Sequence, residues 1–402
     1  MTSNNTRLAI PALAGILYFS QGFPFGIVNE AVNLYLSFAG VDLATIGLVG
    51  SVGLIWTLKF GWAPLVDAAG SYRMWIAGAL VVLAGALLAL GIARPGGGAF
   101  WAALVVLVFA SATQDIAIDA LAIRMTPPES LGLVNSTRVA AYRAAMIVAG
   151  GGVAILADRI GWRRAFSVAS LVPLLVLALI LFTVPGESGT RRRHENPLRG
   201  LIEWMRRPGA LMLVAVILLY RLGDNALMAM IRPYWVARGF SATEVGNVTT
   251  TLGMVCTIAG AIAGGAFVTR YGVYRSLLYL GIVQMLSNLA YAVVAMTAAG
   301  RMAMYGAAVI ETFCGGLGTA AFLSFLMFIC DRENAATEYA MLSAIFSVAR
   351  TVAVAFSGYF AQDLGFARYY WLTAALALPG LLLLPRIRGR LSTPATTAEA
   401  VP

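Results

Sequence analysis

The sequence predicts an all-α integral membrane protein with twelve transmembrane helices in two six-helix halves. Three observations carry this reading. Hydrophobic residues make up 60% of the chain and charged residues 11%, against about 25% charged in soluble domains. A chain of 402 residues with so few charges cannot cover a soluble surface. Its apolar segments run for about twenty residues or more without strand-like alternation, the length and pattern of membrane helices. The second half also repeats the first. LYFSQG (17–22) matches LYRLGD (219–224), GVDLATIG (40–47) matches GFSATEVG (239–246), and VDAAGSYR (66–73) matches VTRYGVYR (268–275), at offsets of 202, 199 and 202.

The spans are expected near 8–38, 43–66, 74–93, 99–124, 132–157, 164–185, 209–237, 242–268, 276–298, 302–329, 335–361 and 366–385. The polar start Thr2–Arg7 precedes a long apolar run with no small-residue cleavage site, so the first span is expected to be retained. Asp42 and Ser241 stand where helix N-caps are needed, and Ser241 with Glu244 spells a capping box. GFPFG (22–26) sets Pro24 between glycines, an expected kink or hinge. The domains read as a first bundle (1–185), a basic linker (186–208), a second bundle (209–387) and a tail (388–402).

The linker holds Arg191, Arg192, Arg193, Arg199, Arg206 and Arg207, which the positive-inside rule assigns to the cytoplasm together with both termini. Trp204 suggests a short helix lying at the membrane interface. The net charge of +10 is spread over loops and linker in the same sense, so membrane topology accounts for it and no nucleic-acid partner is expected. Cys256, Cys314 and Cys330 fall within apolar spans without metal-type spacing, as small packed residues. His194 is the only histidine and lies in the linker. No zinc cluster, Ser/His/Asp set or phosphate-cradling loop can be assembled. The expectation is a non-enzyme with no cofactor and no metal, a monomer in a bilayer whose partners are protons and a small anionic solute.

The informative residues are charges inside the spans. In SATQDIAIDAL (111–121), Asp115 and Asp119 are four apart, about 40° around a helix, and each ionised carboxylate would cost roughly 2.5–3.5 kcal/mol near a bilayer centre. Two acids on one face repel, a condition in which one takes up a proton. With no intramembrane histidine, a carboxylate must carry any coupled proton. Glu30, Lys59, Arg138, Arg143, Arg221, Asp224, Arg232, Glu311 and Arg350 are the other candidates. They mark a solute pathway, or else tie helices together as ion pairs, with Lys59, Arg138 and Arg232 able to snorkel. Arg221 and Asp224 are close enough to pair, and Arg221 and Arg232 read as two cationic rungs of one wall. Arginines suit an anionic solute. Tyr18, Gln21, Asn29 and Asn33 add uncharged hydrogen-bonding groups.

GWAPLVDAAGSYR (61–73) resembles the signature of the major facilitator superfamily, through Gly61, Asp67, Gly70 and Arg73. The resemblance implies a 6+6 fold and a conformational latch, in which Asp67 faces a helix N-terminus and Arg73. Thr269 replaces the aspartate in the second half. SQGFPFG (20–26), TIGLVGSVGLIWTLKFGWAPLVD (45–67), ATQDIAIDAL (112–121), LYRLGDNA (219–226), ETFCGGLGTAAFLSFLM (311–327) and ATEYAMLSA (336–344) further resemble AmpG-type muropeptide permeases. That resemblance implies proton-driven import of N-acetylglucosaminyl-1,6-anhydro-N-acetylmuramyl peptides across the bacterial inner membrane for peptidoglycan recycling. It places Gln114, Asp115 and Asp119 in the family's fourth-helix motif, Lys59 in its second-helix block and Asp224 at the start of the second half. The expected proton site is Asp115 with Asp119. The expected substrate contacts are Tyr18, Gln21, Glu30, Gln114, Arg143, Arg221, Asp224 and Glu311. The alternatives are a same-fold importer of a siderophore or a coenzyme-A-like anion, and a non-transporting membrane sensor.

Overall fold

The structure is a computed structural model. It describes residues 2–69, 71–183, 204–297 and 299–391, with side chains from Ile10 onward apart from residues 43, 44, 47, 242, 243, 246, 247 and 250. Among the described residues, nine helices are long and apolar enough to cross a bilayer, and with two of them double and one further, broken span they make twelve. Helix Gly253–Thr297 is double, turning at Gly272 (φ 77°), and helix Ala335–Leu391 is double, turning at Gly365 (φ 73°). Both are left-handed positions that glycine adopts without a Cβ clash. A further span is broken into Leu43–Val52, Leu54–Leu58, the single tight turn Lys59–Gly61 and Ala63–Ala68. In chain order the spans are α1 (Ile10–Phe38), α2 (43–68), α3 (Tyr72–Ile92), α4 (Gly98–Met125), α5 (Pro128–Ile160), α6 (Trp162–Phe182), α7 (Ala210–Ala237), α8 (242–271), α9 (273–297), α10 (Arg301–Phe328), α11 (335–364) and α12 (366–391).

The caps read from the sequence are present. Asp42 accepts a hydrogen bond from the Thr45 N–H at 2.9 Å at the start of α2. Ser241 and Glu244 form the reciprocal capping box of α8, through the Ser241 N–H to Glu244 Oε2 (3.0 Å) and the Glu244 N–H to Ser241 Oγ (3.2 Å). Tyr305 of α10 also donates its hydroxyl to Glu244 Oε1 at 3.1 Å.

Irregular backbone is concentrated in three π-helical stretches, Ile27–Val32 in α1, Val148–Gly152 in α5 and Gly246–Leu252 in α8. Such stretches are rare and often mark functional positions. The one in α1 follows Pro24, where the sequence predicts a kink. Asn29 and Asn33 turn their amides back onto the carbonyls of Phe25 and Asn29, at 2.9 and 2.8 Å. These two side chains therefore serve the helix backbone, which lacks regular i→i−4 partners there.

The chain packs as two units. The first contains 1–126, 140–201 and 332–341, and the second contains 127–139, 202–331 and 342–402. Each unit thus includes a short piece from the other sequence half. In the first unit, Asp67 at the end of α2 caps the start of α11, accepting from the Ala336 N–H (3.2 Å), the Thr337 N–H (2.7 Å) and the Thr337 hydroxyl (2.5 Å), and from the Tyr72 hydroxyl (2.7 Å). In the second unit, the start of α5 lies backbone to backbone on α8, where a Cβ on Gly132 would sit 2.1 Å from the Gly265 carbonyl oxygen. α8 and α10 cross as closely, since a Cβ on Gly260 would meet the Phe313 carbonyl at 2.0 Å and one on Gly316 the Thr257 carbonyl at 2.2 Å. In lipid, where apolar surface gains nothing from leaving water, such small-residue crossings supply the packing. Large apolar side chains on the outside, such as Phe182 and Leu382, are exposed, as lipid-facing groups must be. Trp204 is buried inside the protein rather than presented at an interface. Gly70, His194 and linker residues 186–203 lie outside the described residues.

Candidate functional site

α4 carries the polar motif through the interior. From Ala110 to Ile123 every residue is buried, including Ser111, Thr113, Gln114, Asp115 and Asp119. The 3.6-residue period distributes these groups over the neighbouring helices. Trp56 and Trp62 of α2 donate indole N–H bonds to Ser111 Oγ (3.2 Å) and Thr113 Oγ1 (3.1 Å). Gln114 donates to Ser20 Oγ of α1 and leaves its Oε1 without a partner. Asp115 and Asp119 face Lys59, whose ammonium lies 3.8 Å from Asp115 Oδ2 and 3.6 Å from Asp119 Oδ2. Tyr18 donates its hydroxyl to Asp119 Oδ1 at 3.2 Å.

Lys59 occupies the tight turn that breaks α2 and is buried. It does not snorkel to the membrane surface, an alternative the sequence left open. The acids do not simply face one another either, since one ammonium is shared between them. The structure therefore gathers Tyr18, Lys59, Asp115 and Asp119, with Gln114 beside them on α4 and bonded to Ser20 of α1. Gln21 is buried, its Oε1 without a partner. Glu30 is exposed on the π-helical stretch of α1, its Cβ 2.8 Å from where a Cβ on Gly150 of α5 would be. Arg143 is half-buried on α5. Of the expected latch, Gly61 lies in the α2 break and Asp67 caps α11, while Arg73 at the start of α3 donates to the Leu181 carbonyl at 2.6 Å.

The second unit holds its own buried polar cluster. α7 breaks at Arg221 (φ −106°, ψ 11°) between Ala210–Tyr220 and Leu222–Ala237. The break sets Arg221 Nε 3.6 Å from Asp224 Oδ2. Asn288 of α9 donates to Asp224 Oδ1 at 3.4 Å. Glu311 of α10 is 1% exposed. Because of the break, Arg221 is drawn into this cluster, whereas Arg232 farther along α7 is exposed. The sequence reading missed Gln284 and Asn288, whose spacing of four in an apolar span was the available signal. A small cavity with room for about one water molecule is lined by Tyr220, Arg221, Asp224, Gln284 and Gly318, among others.

The internal repeat makes the two clusters comparable. α4 and α10 both have 28 residues, so aligning their ends sets Asp115 against Gly318 and Asp119 against Phe322. Tyr18 corresponds to Tyr220 in the LYFSQG/LYRLGD match. Where Tyr18 binds a carboxylate, Tyr220 stacks on Phe322 (centroids 5.7 Å, 5°) and donates its hydroxyl to the Leu277 carbonyl. Among the described residues, no group of three or more His, Cys, Asp or Glu could hold a metal ion.

The chain is similar to proteins that transport solutes. The family model of the Major Facilitator Superfamily matches residues 14–337. The anhydromuropeptide permease of Escherichia coli strain K12 is 34% identical over 388 residues, 93% of this chain and 78% of that protein. Among solved structures, the E. coli fucose:proton symporter FucP superposes with a TM-score of 0.74 at 16% identity, covering 95% of this chain and 99% of that one. The human organic anion transporter MFSD10 does so with 0.74 at 15%, covering 94% and 99%. These structures share the fold. The chain belongs to the Major Facilitator Superfamily and, within it, to the family of the anhydromuropeptide permeases.

Proposed function

We propose that this protein imports anhydromuropeptides, coupled to protons, by alternating access of its two six-helix halves (1–185 and 209–387) across a bacterial inner membrane, with both termini in the cytoplasm. It is a multi-pass membrane transporter and not an enzyme. The observation that carries the substrate is the 34% identity, over nearly the whole chain, to a protein named for anhydromuropeptide transport. The structure supports the coupling part through the Lys59, Asp115 and Asp119 cluster. A proton arriving on either carboxylate removes one of the two charges that hold the Lys59 ammonium. Lys59 sits in the turn where α2 is already broken, so its release is felt at a point where the helix can bend. Proton uptake and a change of shape are thereby linked through one side chain.

Arg143 and Arg221 supply guanidinium groups for the carboxylates of a peptide ligand. Tyr18, Gln21, Glu30, Gln114 and Asp224 supply hydrogen bonds of the kind a sugar and its amides need, and Glu311, expected from the sequence beside them, is left to the role argued below. Asp67 with Gly61, Gly70 and Arg73 acts as the latch, holding α2 to the N-terminus of α11 in one conformer.

The test is uptake of labelled N-acetylglucosaminyl-1,6-anhydro-N-acetylmuramyl tripeptide into proteoliposomes, with and without an imposed pH gradient. Uptake that follows the gradient is expected. Uptake indifferent to it would remove the coupling claim. Absence of uptake, with transport of a ferric siderophore or coenzyme A instead, would change the cargo.

A further inference from the structure

The second unit contains an acidic site whose surplus carboxylate the transport reading does not explain. Two carboxylates, Asp224 (4% exposed) and Glu311 (1%), accompany one guanidinium, Arg221. Arg221 is committed to Asp224 at 3.6 Å, and Asn288 supports the same carboxylate. Glu311 is left over. Its Oε2 is buried without a hydrogen-bond partner, as are the Gln284 Oε1 and the Asn288 Oδ1, while the Gln284 amide also supports Asp224.

These groups aim at one place. A Cβ on Gly315 would lie 3.7 Å from Glu311 Oε1 and 3.8 Å from Gln284 Oε1, and one on Gly318 would lie 3.3 Å from Arg221 Nη1 and 3.5 Å from Gln284 Oε1. Two glycines of α10 thus open a gap into which the carboxylate, the amide and the guanidinium converge. With both acids ionised, this site would carry one uncompensated negative charge among helices that cross the bilayer, an arrangement of high cost. One proton on Glu311 cancels that charge and adds the donor that the neighbouring acceptor oxygens lack. Arg221, Tyr291 and Cys314 also lie within electrostatic reach of Glu311, and the one cation among them, Arg221, is the one already paired with Asp224.

We propose that Glu311 is a second proton-carrying site, separate from Asp115 and Asp119, so that one transport cycle moves two protons. The site binds a proton on a Glu311 oxygen, shares it with Gln284, and gives it up when Arg221 shifts from Asp224 toward Glu311. This inference rests on the proton-coupled reading above.

The experiment measures protons and labelled anhydromuropeptide tripeptide together in the same proteoliposomes, with the membrane potential clamped at zero. Two protons per substrate are expected for the unaltered protein and one for Glu311→Gln, which keeps the shape and cannot take up the proton. At a pH difference of one unit, the limiting accumulation should fall from about a hundredfold to about tenfold, since each coupled proton contributes a factor of ten. Counterflow exchange, which needs no net proton movement, should survive in Glu311→Gln and shows that the variant is folded. One proton per substrate in the unaltered protein, or two in Glu311→Gln, overturns the proposal. So does loss of counterflow with normal thermal stability, which makes Glu311 a substrate contact. A stoichiometry that changes when sodium is replaced by choline overturns it in favour of sodium. Uptake that ignores the pH gradient altogether is the distinct failure of the coupled-transport reading itself.

Discussion

Lys59 is the residue on which the first cluster turns. Replacing it with methionine leaves Asp115 and Asp119 without the ammonium they share, and breaking a buried pair costs about 3–5 kcal/mol. Lys59→Met should therefore lower the unfolding midpoint in detergent, and adding Asp119→Asn should recover part of the loss. Asp115→Asn and Asp119→Asn should each reduce gradient-driven uptake by about tenfold or more, equivalent to about 1.4 kcal/mol, with insertion into the membrane unchanged. Normal transport by both variants would make the cluster structural. The two acids of α4 were legible because a charge inside an apolar run stands out by itself. Their partnership with Lys59 was not, because 56 to 60 residues separate the partners and spacing on one helix says nothing of contacts between helices. Gln284 and Asn288 escaped for another reason: uncharged amides barely disturb the hydropathy of a span.

The elements owe their legibility to composition. Span number and order followed from apolar length and from the repeat, and the caps at Asp42 and Ser241 followed from residue type. The breaks were harder to read. Neither Lys59–Gly61 nor Arg221 carries a proline, and the interruption of α7 reflects tertiary demand, with Gly223 pressed so close to α12 that a Cβ there would lie 2.2 Å from the Thr373 carbonyl oxygen. The glycines of α8 and α10 give the element-scale prediction. Gly260→Val or Gly316→Val forces helices apart whose backbones already touch, and overpacking of this kind costs about 1–3 kcal/mol or more. Both variants should lose yield and thermal stability in detergent, while Gly78→Ala, where nothing lies within 4 Å, should behave as the unaltered protein.

At the scale of the whole molecule, six helices recur after six, yet the recurrence stops short of the chemistry. The aspartates of α4 correspond by position to a glycine and a phenylalanine of α10, so each half has kept the scaffold and acquired its own polar cluster. A duplicated fold thereby yields two unlike sites. The latch belongs to this scale as well. Asp67→Ala removes the cap of α11, a change worth about 1–2 kcal/mol for a well-bonded N-cap, and should raise the rate at which a cysteine placed at Thr337 reacts with a thiol reagent. The two ties that join residues of opposite sequence halves also differ in kind. The one at Asp67 is a charge held by amide dipoles, and dissolved ions weaken such an attraction when water reaches it. The one at Gly132 and Gly265 is bare backbone against bare backbone, and ions have no purchase on it. Spin labels flanking each tie should therefore report different responses to ionic strength, with wider distance distributions in strong salt beside Asp67 and unchanged ones beside Gly132. A transporter fastened by one ionic and one steric clasp can have the first loosened by its surroundings while the second keeps its register.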